Sequence, residues 1–174
     1  MNVASLKASF TSPTTMQAAL WGGLIAGVLD ASDGVVAYYL AYGMNPIQVL
    51  QFIASGALGQ DAFSGGLATA GAGAFFHFLI AFVAAAVFVG ASAKIGVLRS
   101  RWVLAGLAYG VWVWFFMNII VLPFTKVAPS PASLPMLLNG VIGHSVFVGL
   151  PISFFAARAV CSLTRGGGHT PQTA

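Results

Sequence analysis

The sequence predicts an all-α membrane protein: a four-transmembrane-helix bundle with a short interfacial helix between helices 1 and 2. Two observations carry this expectation. Of 174 residues, 59% are hydrophobic and only 6% charged, and the mean hydropathy is +0.92, whereas soluble domains carry about 25% charged residues. Four apolar blocks, Met16 to Tyr42, Gly66 to Ala91, Trp102 to Phe124 and Pro135 to Ala157, are each long enough for the roughly 20 residues that a bilayer demands.

Met1 to Thr15 reads as a polar, Ser/Thr-rich cytoplasmic leader, and residues 16–157 as one transmembrane domain. The first block follows Lys7 as a secretory signal would, but Asp30 and Asp33 interrupt it and the apolar run resumes through Tyr42, which favours an uncleaved helix. Asn45-Pro46 is a helix-start signal. Beyond it Ile47, Leu50, Ile53, Ala54 and Ala57 fall on one side, with Gln48, Gln51 and Ser55 on the other, as in a helix lying on the outer interface. The glycines from Gly56 to Gly66 leave a re-entrant segment open as the competing reading, and Asp61 is expected in a solvated loop.

Gly66, Ala70, Gly73, His77, Ala81 and Ala84 share one stripe of the second block, leaving Phe75, Phe78 and Phe82 for lipid. Pro129, Pro131 and Pro135 predict a stiff, extended second outer connection. In the fourth block Pro151 lacks an N–H, so the Phe147 carbonyl is left short of its helical partner. Residues 158–174 form a Gly-rich cytoplasmic tail, and the lone Cys161 has no partner for a disulfide within the chain.

The net charge of +4 is explained by topology. Lys7, Lys94, Arg99, Arg101, Arg158 and Arg165 fall on one side and Lys126 alone on the other. Both termini are therefore expected in the cytoplasm. No basic stripe or aromatic stacking surface calls for nucleic acid; the lipid bilayer is the expected partner. The glycine pairs Gly23/Gly27 and Gly106/Gly110 predict close helix packing, within the chain or in a homo-oligomer.

An aspartate at the centre of a membrane helix costs roughly 2.5–3.5 kcal/mol, and such groups normally face a protein interior near a partner. Gly23, Gly27, Asp30, Gly34, Ala37 and Ala41 share one stripe, and Asp33 stands about 60° away on the helical wheel. Asp30 lies twelve residues from the outer end of its block, His77 eleven and His144 nine, so the three share nearly one depth. Asn118, six residues from its outer end, could add an amide. The expected binding or relay group is thus Asp30, Asp33, His77, Asn118 and His144, with His77 as the hydrogen-bonded partner of Asp30.

The run from Leu104 to Arg158, with Leu122-Pro123, a proline-containing outer loop, Gly143-His144 and a terminal arginine, resembles the YagU-like inner-membrane proteins of bacteria. Gly23 to Val28 is similar to the opening of their first helix. The resemblance implies a four-helix protein of the bacterial inner membrane and does not supply an activity. The connection between the first two blocks departs from it, as does the lack of a histidine in the third block. Only Gly143, His144 and Arg158 match characteristic positions.

Three functional readings follow. The first is a small proton or cation conduit built on the Asp-His centre. The second is a structural or accessory protein whose polar centre only specifies helix pairing. The third, the only one requiring a cofactor, is a bundle in which His77 and His144 ligate a b-type haem, or with Asp30 a transition metal ion. No Ser/His/Asp set, HExxH, Walker A or CxxC motif occurs, so an enzyme is not expected.

Overall fold

The computed structural model describes residues 14–127 and 133–165, and these contain helices and no strand. Four helices are long and apolar enough to cross a membrane: Thr15–Tyr42, Gly66–Lys94, Trp102–Phe124 and Leu134–Ala159. They make the chain a multi-pass membrane protein. The leader to residue 13, the connection containing Pro129 and Pro131, and the end of the tail with His169 lie outside the described residues, as do the side chains of Cys161 and Arg165.

Helix α1, Thr15–Tyr42, begins with a reciprocal cap between Thr14 and Gln17 and ends at Gly43, whose φ of 68° is the left-handed conformation glycine tolerates. Helix α2, Pro46–Leu58, opens with the same kind of cap between Asn45 and Gln48. A short 3-10 turn, Gly59–Ser64, carries the exposed Asp61 and leads into α3, Gly66–Lys94. The five-residue α4, Gly96–Ser100, joins α3 to α5, Trp102–Phe116. The fourth span starts as α6, Leu134–Gly143, and ends as α7, Leu150–Arg165, which runs past the expected boundary at Ala157.

The last two spans change pitch where the first two do not. Residues Met117–Val121 and His144–Gly149 are π-helical, with Leu122 N–H bonding to the Met117 carbonyl and Leu150 N–H to that of Ser145. Both wide turns end two residues before a proline, Pro123 or Pro151. A proline cannot supply the N–H that an α-helix would give to Ile119 or Phe147, and its ring crowds that carbonyl. Each helix relaxes the conflict with one wider turn.

The core occupies the half of the bundle nearest the basic connection. Ala18 and Ala26 of α1, Ala85, Phe88 and Val89 of α3, and Ile152, Ala156 and Ala159 of α7 are all buried together. Small side chains let the helices approach closely. At Gly106, Gly110 and Gly149 the approach is backbone to backbone: a methyl group on Gly149 would collide with the Gly106 carbonyl, and one on Gly110 with that of His144.

Two packing expectations are corrected. Phe78 and Phe82 do not face lipid; their rings cover Gly27 and Gly23, where a methyl group would lie 2.8 and 2.6 Å away. The reason is that glycine leaves a hollow on α1 that a flat ring fills, while Phe75 remains 63% exposed. Both glycine pairs are therefore occupied within the chain. Helix α2 does not divide into the two expected sides: Gln51 and Ser55 are buried together with Ala54, whereas Ile47 is 43% exposed. Gln51 donates to the Gly66 carbonyl at 3.1 Å and to Thr69 Oγ1 at 3.4 Å, tying α2 to the start of α3. The Leu50 carbonyl rests directly on Gly73, two helical turns into the second span, so α2 packs closely against α3.

Candidate functional site

Above the closed core lies a cavity of about 210 Å³, enough for several waters. Its walls come from all four spans, and Asp30, His77 and His144 all line it. Phe52, Ile53 and Gly56 of α2, with Thr125 and Val127 of the outer connection, line it as well. These two outer segments are joined by the Lys126 N–H, which donates to the Gly56 carbonyl at 2.8 Å.

The structure pairs Asp30 with His144, not with His77. His144 Nδ1 stands 3.6 Å from Asp30 Oδ1, with side-chain exposures of 25% and 21%. That distance is an ionic contact if the ring is protonated, and it is too long for a direct hydrogen bond. His144 Nδ1 instead donates at 3.0 Å to the carbonyl of Gly140, one turn earlier in its own helix. His77 Nε2 donates at 2.8 Å to the Gly27 carbonyl. His77 thus reaches the backbone of α1 three residues before Asp30 and not the Asp30 side chain.

Asp33 and Asn118 are placed elsewhere. Asp33 Oδ2 accepts from Asn139 Nδ2 at 2.9 Å, and a methyl group on Gly143 would lie 2.6 Å from the same oxygen. Asn118 is exposed, and its amide donates at 2.8 Å to the Trp114 carbonyl within its own span. It does not reach the cavity, because its side chain closes on the preceding turn. Asn139 escaped the sequence reading although an amide in an apolar span is itself a signal. On a regular wheel it stands about 140° from His144, off the stripe used to define the site.

Thr125 and the π-helical turns were also missed. Met117 and Val121, the two ends of one such turn, line the cavity, and His144 opens the other. Wide turns of this kind are frequent at functional sites because they re-aim a side chain without ending the helix. The paired prolines were the available signal.

The three side chains expected to hold a metal ion, Asp30, His77 and His144, do not gather as one site. Among the described residues no group of three or more His, Cys, Asp or Glu side chains converges as a metal site would. A cavity of about 210 Å³ is also below the roughly 300–1,000 Å³ typical of sites for larger ligands and cofactors. Comparison with protein-family models, with curated proteins and with solved structures gives no match.

Proposed function

We propose that this multi-pass protein is a small proton or cation conduit of a bacterial inner membrane, with both termini cytoplasmic and Asp30 and His144 as its exchanging pair. The observation that carries the reading is the 3.6 Å approach of these two groups at the wall of a membrane-embedded cavity. A carboxyl group at this depth is costly, and among the described residues no hydrogen bond to Asp30 offsets the cost. A proton or cation held between Asp30 and His144 would offset it. His77, fixed to the Gly27 carbonyl, supplies a third polar group to the same space. The Asp33–Asn139 pair extends polar chemistry along the first and fourth spans. The resemblance to YagU-like proteins agrees with the proposed membrane, and no enzyme activity is proposed.

The test is proton flux after a pH jump across liposomes containing the purified protein. Wild type should exceed empty vesicles, and Asp30→Asn should lower the protein-dependent rate by about tenfold or more. Equal flux from wild type and Asp30→Asn would overturn the conduit reading. The closed core beneath the cavity favours a second reading, an accessory protein whose polar groups specify helix pairing. It predicts that Asp30→Asn and His144→Gln lower the melting temperature or mis-assemble the bundle while changing no transport activity.

A further inference from the structure

The cavity offers an unusual chemical balance. The Gly27 carbonyl can only accept a hydrogen bond, so His77 Nε2 carries the proton and Nδ1 of the neutral ring is left as an acceptor. The same logic at Gly140 puts the His144 proton on Nδ1 and leaves Nε2 as an acceptor. Thr125 gives its hydroxyl proton to the Leu122 carbonyl at 2.7 Å and accepts from the Val127 N–H at 3.3 Å, so its oxygen keeps one further acceptor position. Asp30 is an acceptor when ionised, and among the described residues no donor stands within hydrogen-bond distance of it. With both rings neutral and Asp30 ionised, the polar side chains lining the cavity present acceptors and a negative charge, with no free donor.

An occupant that matches must bring donors and positive charge. Water supplies as many acceptors as donors, whereas an alkylammonium head has three donors and no acceptor. The rest of the wall is hydrocarbon, including Ile80, Val113 and Met117, and the acidic and imidazole groups are not gathered closely enough for a metal ion. We infer that the cavity binds a small primary alkylammonium ion, with its head on Asp30 beside His144 and its short hydrocarbon body along Ile80, Val113 and Met117. This rests on the conduit reading of Asp30 and narrows the cation to an organic one.

The experiment titrates n-butylammonium into the full-length protein in nanodiscs by calorimetry, with tetramethylammonium and sodium as controls. Tetramethylammonium keeps the charge but has no N–H donor. The expected result is n-butylammonium affinity at least about tenfold above both controls, and a loss of about tenfold or more in Asp30→Asn. Met117→Trp should fill the space for the hydrocarbon body and weaken n-butylammonium while sparing the smaller ammonium ion. Equal binding of n-butylammonium and tetramethylammonium overturns the inference, as does unchanged n-butylammonium affinity in Met117→Trp, which decides the matter if Asp30→Asn does not fold. Proton flux without n-butylammonium binding overturns this inference and leaves the conduit. Binding without any flux sustains the ligand and overturns the conduit.

Discussion

Toward the basic end, the helices of this bundle meet through alanines, glycines and backbone, with Ala18, Ala26, Ala85, Ile152, Ala156 and Ala159 in one buried cluster. Toward the outer end they separate around a cavity, both π-helical turns occur near its level, and a methyl group on Gly34 would touch nothing within 4 Å. Polar groups follow the same division. In the inner half Ser92 and Ser153 are fully buried and each donates to a carbonyl three residues earlier in its own helix. Toward the opposite end Asp30 accepts no hydrogen bond from the described residues. The difference teaches where the cavity chemistry resides: the buried apolar cluster shared by α1, α3 and α7 lies on one side of Asp30, and the space open to an occupant lies on the other.

The largest test of this division is Gly149→Ala. Its new methyl group would meet the Gly106 carbonyl and lie 2.9 Å from the Gly110 nitrogen. Neither partner is the flexible end of a side chain, so the third and fourth spans must move apart. A loss of about 3 kcal/mol is expected, at the upper end of overpacking costs, measured by reversible unfolding in mixed micelles. Gly27→Ala is the matched control, because the obstacle there is the Phe78 ring, which can rotate. If the control costs as much as Gly149→Ala, the contrast between backbone and ring contacts fails.

Asn139→Leu comes next. It removes the amide that donates to Asp33 at 2.9 Å and leaves a partly buried carboxyl group without that partner. The expected cost is about 1–3 kcal/mol, read by the same unfolding experiment. Recovery of stability in Asp33→Asn/Asn139→Leu would show that the carboxyl group, and not lost packing, is responsible. No recovery would place Asn139 with the structural contacts of the inner half.

The helices were legible in the sequence because hydropathy and length depend on little else, and Asn45-Pro46 announced the start of α2. The grouping of Asp30, His77 and His144 was partly legible for the same reason: residue count gives depth along a helix. Their pairing was not. Which neighbour a side chain reaches depends on rotation as well as depth, and the π-helical turn at His144–Gly149 breaks the constant angle on which a helical wheel relies. The rings on Gly23 and Gly27 failed for a different reason. Hydrophobicity assigns phenylalanine equally well to lipid or to a hollow in a neighbouring helix, and only the complementary shape decides.

Pro151→Ala probes that missing angle directly. Alanine restores the N–H for the Phe147 carbonyl and lets the fourth span close into a regular α-helix. Replacing a wide turn with an α-turn would rotate His144 relative to α7 and draw it away from Asp30. Protein-dependent flux is expected to fall about tenfold, equivalent to roughly 1.4 kcal/mol in the barrier, while the melting temperature stays or rises. Unchanged flux would mean that the π-helical turn only accommodates the proline and does not aim His144.

Tyr109→Phe carries the smallest expected effect and asks whether the division is complete. Tyr109 packs against the core, 4.8 Å from the Phe88 ring, and its hydroxyl donates at 2.7 Å to the Ala84 carbonyl of α3. Ala84 itself lines the cavity, so this bond sits at the boundary between the two halves. The carbonyl already serves the α-helical ladder, and hydrogen bonds between membrane helices average about 0.6 kcal/mol. A loss of that size, measured by unfolding, with flux unchanged, is what a purely structural bond predicts. A fall in flux larger than the stability loss would instead make the Tyr109 hydroxyl part of a path leading inward from Asp30, and the closed half of the bundle would no longer be only a support.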